Sequence, residues 1–153
     1  MATLVLLCGL PGSGKTTLAK QLESARSALR LCPDEWIGSI LADCADPAEL
    51  DRLRTPVESI QWEVAKRALV LGINVILENG FWSRAERASY RAQAEALGAS
   101  VELIYLDVAR DELWARLSKR NANLPPGTFI VQEDQLDLWW SWFEPPTGAE
   151  IDS

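Results

Sequence analysis

Eight consecutive residues carry the first chemical signal. Gly9-Leu10-Pro11-Gly12-Ser13-Gly14-Lys15-Thr16 fits G-x-x-x-x-G-K-[ST] at every fixed position, the spacing of a loop that cradles phosphates. The glycines let successive N–H groups turn inward around a phosphate, and the following helix adds the positive end of its dipole. In such a loop Lys15 reaches the β- and γ-phosphates, and the Thr16 hydroxyl ligates Mg2+, with Thr17 next to it. The expected ligand is a nucleoside triphosphate, ATP, with Mg2+. The loop does not by itself decide whether the phosphoryl group goes to water, to a protein motion or to an acceptor.

Asp34 bears on that choice. It follows Cys32-Pro33 just past the second apolar run, where the carboxyl ends of parallel strands bind ligands. A carboxylate there can take the proton of an attacking hydroxyl. It can equally serve as the N-cap of the helix it opens, worth about 1 kcal/mol, and the sequence leaves both roles open.

Composition narrows the chemistry further. The 153 residues contain no histidine, which removes Ser-His-Asp and Cys-His nucleophiles and histidine-ligated metals. Acids outnumber bases 22 to 15, a net charge of −7, the wrong sign for nonspecific nucleic-acid binding. Cys8, Cys32 and Cys44 form no CxxC pair and read as small buried hydrophobes. The apolar stretch from Leu4 to Leu10 has no basic flank and is too short to cross a bilayer. A reduced, cytoplasmic protein is expected.

The elements that must position these residues follow from patterning. Strand-length apolar runs alternate with helical periodicity, the signature of βαβ units. Strands are expected at 3–8, 28–31, 73–77 and 101–106, with a first helix at about 15–25 and Asp34 opening a second. Asp46-Pro47-Ala48-Glu49 is a helix start, and Thr55-Pro56 restarts that helix, which stops at Gly72. Ser83-Arg84-Ala85-Glu86 is a capping box for a helix to Leu97, again before a glycine. A helix at about 109–121 precedes a proline-rich break, and a tryptophan-rich helix at about 132–143 comes last.

The sequence from about Leu4 to Pro146 resembles the small P-loop kinases related to phage polynucleotide kinase, gluconate kinase, chloramphenicol phosphotransferase and zeta toxins, which are ATP-binding AAA-type kinases. Pro33-Asp34-Glu35-Trp36 is similar to the segment holding the base aspartate of polynucleotide kinase, which implies that Asp34 is the general base. Arg116-x-x-x-Arg120 is similar to the lid arginines of gluconate kinase, which implies that both contact ATP phosphates. Their i,i+4 spacing puts the two guanidinium groups on one helical face. The resemblance implies an α/β P-loop NTPase fold, one domain over residues 1–153, and a parallel sheet of four or five strands ordered 2-3-1-4(-5). A short lid at about 116–128 completes it.

Departures from that pattern carry information. Ile37 stands where polynucleotide kinase has a phosphate-holding arginine, which with the net charge argues against a nucleic-acid acceptor. Glu78-Asn79-Gly80 stands where the family has an aspartate, so either Glu78 takes the acidic role near Mg2+ and substrate or that role is weakened. Arg87 matches an arginine of the polynucleotide kinase pattern; it contacts substrate or pairs with Glu86 or Glu95.

The tryptophans supply the remaining signal. Leu136, Trp139, Trp140 and Phe143 form one apolar helix stripe. Leu138 and Trp142 lie off it, as candidates for an acceptor pocket or an oligomer contact. Trp36 and Trp82 begin segments at the active edge of the sheet and are expected to form a flat, apolar acceptor site. The expected function is transfer of the γ-phosphoryl group of Mg-ATP to a hydroxyl of a small molecule, by a monomer or homodimer that does not engage membranes. Two rivals stand beside it: a polynucleotide or RNA-end kinase, and an ATP-dependent switch without an acceptor. The chain ends about where relatives begin a fifth strand, so an open sheet edge is expected.

Overall fold

A computed structural model describes residues 1–42, 46–124 and 129–152. Cys44 and the proline-rich break from Pro125 to Gly127, within the expected lid, lie outside the described residues. Four parallel strands, β1 (Thr3–Cys8), β2 (Leu29–Leu31), β3 (Val75–Gly80) and β4 (Ser100–Tyr105), form one sheet in the order β2-β3-β1-β4. This is the expected α/β architecture. No fifth strand pairs with β4 among the described residues; the chain there forms the short helix α7 (Gly148–Asp152) instead.

Strand alternation divides the core. Val5 and Leu7 of β1 and Ile76 of β3 pack against Ala19 of helix α1 (Lys15–Arg26) on one face. Leu4, Leu6, Val75 and Leu77 point to the other face, which is covered by Trp62, Ala65, Ala68 and Leu69 of α3 (Pro47–Val70) and Ala94 of α4 (Arg84–Ala96). A third cluster joins Leu10 of the loop to Leu113 and Leu117 of α5 (Arg110–Asn121) and Leu136 of α6 (Glu133–Trp142). The remaining helix, α2 (Pro33–Leu41), follows β2 directly. Among the described residues, no helix is long and apolar enough to cross a membrane.

Two element boundaries differ from expectation for physical reasons. The helix starting at Pro47 does not restart at Pro56; it runs unbroken to Val70 with Pro56 inside. The proline removes one N–H bond, to the Arg52 carbonyl, at a cost of about 3 kcal/mol, and burial of the apolar residues from Val57 to Leu69 offsets it. The third strand starts at Val75 rather than Ile73 and extends to Gly80, because pairing with β1 continues to Cys8 opposite Gly80. Glu78 therefore belongs to the strand itself. Gly80 (φ 86°) is required there: a Cβ would lie 3.1 Å from the Gly9 carbonyl oxygen.

The tryptophan-rich helix also deviates. Leu136 is fully buried and Trp139 and Phe143 pack on its cluster, but Trp140 is exposed, because α6 covers the core only along its 136–139–143 line. Cys8 and Cys32 are buried thiols as expected, and burial pushes them up to about 11 and about 12.

Arg87 falls on the structural side of its two readings. It is 3% exposed, donates to the Phe81 carbonyl at 2.8 Å, and pairs with Glu150 of α7 at 3.1 Å. Its partner is thus neither Glu86 nor Glu95, and its guanidinium does not face the nucleotide loop. Replacing it with methionine (Arg87→Met) removes a buried ion pair and the bond to the Phe81 carbonyl, so denaturant unfolding is expected to show a loss of about 3 kcal/mol. Nucleotide affinity should not change.

Candidate active site

The loop between β1 and α1 is held open by two left-handed glycines, Gly12 (φ 86°) and Gly14 (φ 95°), the latter at the N-cap of α1. Gly9 N–H donates to the Gly80 carbonyl at 3.0 Å, tying the loop to the end of β3. Leu10 faces inward, 3% exposed, under the α5–α6 cluster, and Ser13 is buried at the centre of the loop. Lys15 Nζ donates to the carbonyls of Gly9 at 2.9 Å and Leu10 at 3.2 Å. Burial pulls its ammonium below the ordinary lysine range, and Asp34 and Glu78 oppose that pull.

A cavity of about 670 Å3 lies over this loop, within the usual size of a small-ligand site. Pro11, Gly12, Gly14, Lys15, Thr16 and Thr17 form its floor. Helix α5 contributes Arg116 and Arg120, and α6 contributes Leu138, Trp139 and Trp142. The opposite wall contains Asp34 and the N-terminal turns of α3, including Asp51 and Arg54.

Glu78 stands beside the loop as anticipated. Its carboxylate accepts from the Thr16 hydroxyl at 2.7 Å, although the residue is only 6% exposed. Strand parity explains the placement, because Glu78 lies on the same face as Ile76, the face that α1 covers. These two hard oxygen donors suit Mg2+, which takes one or two protein ligands and completes its octahedron with phosphate and water. No group of three acidic or thiol side chains able to hold a metal by itself occurs among the described residues.

Asp34 does not cap its helix. The N-cap of α2 is Cys32, without a side-chain cap, and Asp34 Oδ1 instead accepts from Arg54 Nη2 at 2.9 Å. The pair is half-exposed and lines the cavity. Arg116 lies at the rim, donating to Glu112 at 3.0 Å and to the Gly12 carbonyl at 3.3 Å. Arg120 donates to the Phe129 carbonyl at 3.3 Å, and its Nε is buried without a partner. Both arginines line the cavity over the loop.

The two tryptophans expected at an acceptor site do not line this cavity. Trp36, two positions past Asp34, is carried to the far side of α2 and packs on the main core. Trp82 follows Gly80 and Phe81, both at positive φ, and turns under α6, with its ring 5.7 Å from Trp139. Neither lines the cavity. Trp142 and Leu138 do, as their position off the apolar stripe suggested. Sequence reasoning missed Arg30 and Arg54. A charge at the centre of the three-residue strand β2 was a usable signal for Arg30. Arg54 had none, since its place depends on how α3 packs against α2.

Behind Asp34, Glu58 is pushed up to about 7 by burial, with Glu86 and Asp34 adding and Arg54 opposing. Its acid form is favoured in the folded protein, so its contribution is fully present below the unfolded value of about 4.5 and is lost as pH rises toward 7. Glu58→Gln is expected to stabilise the protein by about 2 kcal/mol at pH 8 and by almost nothing at pH 4.5. Thermal or denaturant unfolding at the two pH values measures this; equal effects at both would refute it.

The AAA domain family profile matches residues 4–146. No curated protein matches the sequence. Among solved structures, a protein from Chloroflexus aurantiacus is 20% identical with a TM-score of 0.77, over 95% of this chain and 82% of that one. A gluconokinase from Sinorhizobium meliloti is 15% identical with a TM-score of 0.65, over 95% and 77% of the two chains. Chaetomium thermophilum Kti12, in complex with ADP-AlF3, is 17% identical with a TM-score of 0.68, over 95% and 82%. With its phosphate loop, its 2-3-1-4 parallel sheet and this match, the chain belongs to the AAA domain family and has the fold of the small P-loop kinases.

Proposed function

We propose that this protein is an ATP-dependent phosphotransferase that moves the γ-phosphoryl group to a hydroxyl of a small-molecule acceptor. One observation carries the reading: Asp34, released from any capping role, lines the same cavity as Lys15 and Thr16 and is oriented by Arg54. A nucleotide switch has no need for a carboxylate held there.

In this reading the loop N–H groups and Lys15 bind the β- and γ-phosphates, and Arg116 and Arg120 offset charge that spreads over the transferring group. Thr16 and Glu78 would hold Mg2+, which would neutralise part of the phosphate charge. Asp34 accepts the proton of the acceptor hydroxyl through the oxygen that Arg54 leaves open. The hydroxyl oxygen bonds to the γ-phosphorus as the bond to the β–γ bridging oxygen breaks, leaving ADP. Leu138 and Trp142 give the cavity an apolar side against which an uncharged ring can pack. The net charge of −7 and Ile37 favour a small acceptor over a polynucleotide end.

Candidate hydroxyl acceptors (sugars, sugar acids, nucleosides, aminoglycosides, phenicols and polynucleotide ends) should be screened for ADP release above the rate without acceptor. At least one small molecule is expected to raise that rate. Asp34→Ala should then cut the acceptor-dependent rate by about 10^3-fold while slow hydrolysis of ATP persists. A polynucleotide end as the sole active acceptor, or an Asp34→Ala variant as active as the parent, would overturn the proposal.

A further inference from the structure

Arg30 has no part in the roles assigned so far, yet it lies at the junction of the site. Its side chain is 12% exposed in the middle of β2. Nη1 donates to two carboxylates at once, Glu78 Oε2 at 2.6 Å and Glu35 Oε2 at 2.8 Å, and Nη2 donates to Glu35 Oε1 at 2.9 Å. The other Glu78 oxygen, Oε1, receives the Thr16 hydroxyl. A continuous chain of bonds thus runs Glu35–Arg30–Glu78–Thr16, from α2 across the sheet to the phosphate loop.

We infer that Arg30, fixed by Glu35, is a positioning residue that holds Glu78 with Oε1 turned toward Thr16 and so sets how strongly Mg2+ tightens nucleotide binding. The inference rests on the proposed role of Thr16 and Glu78 toward Mg2+. The sheet imposes the pair: Arg30 lies opposite Ile76, two residues before Glu78 and on the same face. Burial requires it as well, since the Glu78 side chain is 1% exposed and a carboxylate that deep needs a paired cation.

Arg30 has two opposing effects on a metal ion. Its positive charge weakens the attraction of Glu78 for a second cation, while its fork removes the rotational freedom of the carboxylate. Orientation prevails, because Arg30 binds Oε2 and leaves the oxygen beside Thr16 uncommitted to any cation. Partners of this kind behind a metal-ligating carboxylate commonly change metal affinity by about 10–100-fold.

The test uses the full chain and ADP, with affinity measured by calorimetry in saturating Mg2+ and again in EDTA. The parent is expected to bind ADP more tightly with Mg2+. Arg30→Met should leave the EDTA affinity within about twofold and reduce the gain from Mg2+ by about tenfold. Arg30→Lys, which keeps the charge but loses the fork, should recover part of that gain. Should Arg30→Met fail to fold, Glu35→Gln carries the test, since it loosens the fork and leaves the Arg30–Glu78 bond; a reduced Mg2+ gain is expected there too. An undiminished gain in a folded variant overturns the inference, as does an equal loss with and without Mg2+, the mark of a merely structural residue. A parent that binds ADP without any gain from Mg2+ overturns the metal role of Thr16 and Glu78 itself, and the inference with it.

Discussion

Because β1 and β3 run parallel, with Leu4, Val5 and Leu6 beside Val75, Ile76 and Leu77, the end of β3 arrives where the chain leaves β1 for the phosphate loop. That pairing sets the distances between the phosphate loop and the end of β3. It brings Gly80 against Gly9 so closely that a Cβ would lie 3.1 Å from the Gly9 carbonyl oxygen. It also aims Glu78 at the first turn of α1, within hydrogen-bond reach of Thr16. A one-residue slip would turn Glu78 to the opposite face, among the packed side chains of α3 and α4. The register is thus a chemical requirement as much as a packing one, and the apolar pairs Leu4–Val75, Val5–Ile76 and Leu6–Leu77 hold it.

Around this frame the cavity divides by charge. The loop and α5 supply cations to the cavity, Lys15, Arg116 and Arg120. The wall formed by α2 and α3 supplies carboxylates, with Arg54 interposed to orient one of them. A reaction that relies on fixed cations, one carboxylate and a divalent metal needs no imidazole, so the absence of histidine is consistent with the chemistry instead of merely excluding others. Among the described residues the ionic groups at the centre of the site bond to backbone carbonyls and to each other.

Local signals were legible where chain neighbours decide the structure. The phosphate loop, the alternation of strands and helices, and the Asp46 and Ser83 caps follow from short-range spacing and apolar periodicity, whereas the strand order and the acidic place of Glu78 came from the resemblance to the small P-loop kinases. Readings that depended on where a side chain points after a turn fared differently. Trp82 was expected in the cavity, but positive φ at Gly80 and Phe81 reverses its direction. Trp36 sits two residues from Asp34, and two residues of helix rotate it to the other side. Arg54 was invisible because only the packing of α3 against α2 brings it to Asp34. Arg87 was read from a similar pattern elsewhere, and its partner Glu150 lies 63 residues away, beyond any local rule.

Helix α3 shows how such a site can be both anchored and compliant. Its first turns, through Arg54, border the cavity, and its later turns are embedded in the core through Trp62, Ala65 and Leu69. Pro56 lies between the two, where the helix lacks one rung of its ladder. Mechanically, α3 is a lever clamped at one end, with its weakest rung at the fulcrum. A small tilt of its first turns, together with α2 on which they pack, would move Arg54 and the carboxylate it steers without disturbing the clamp.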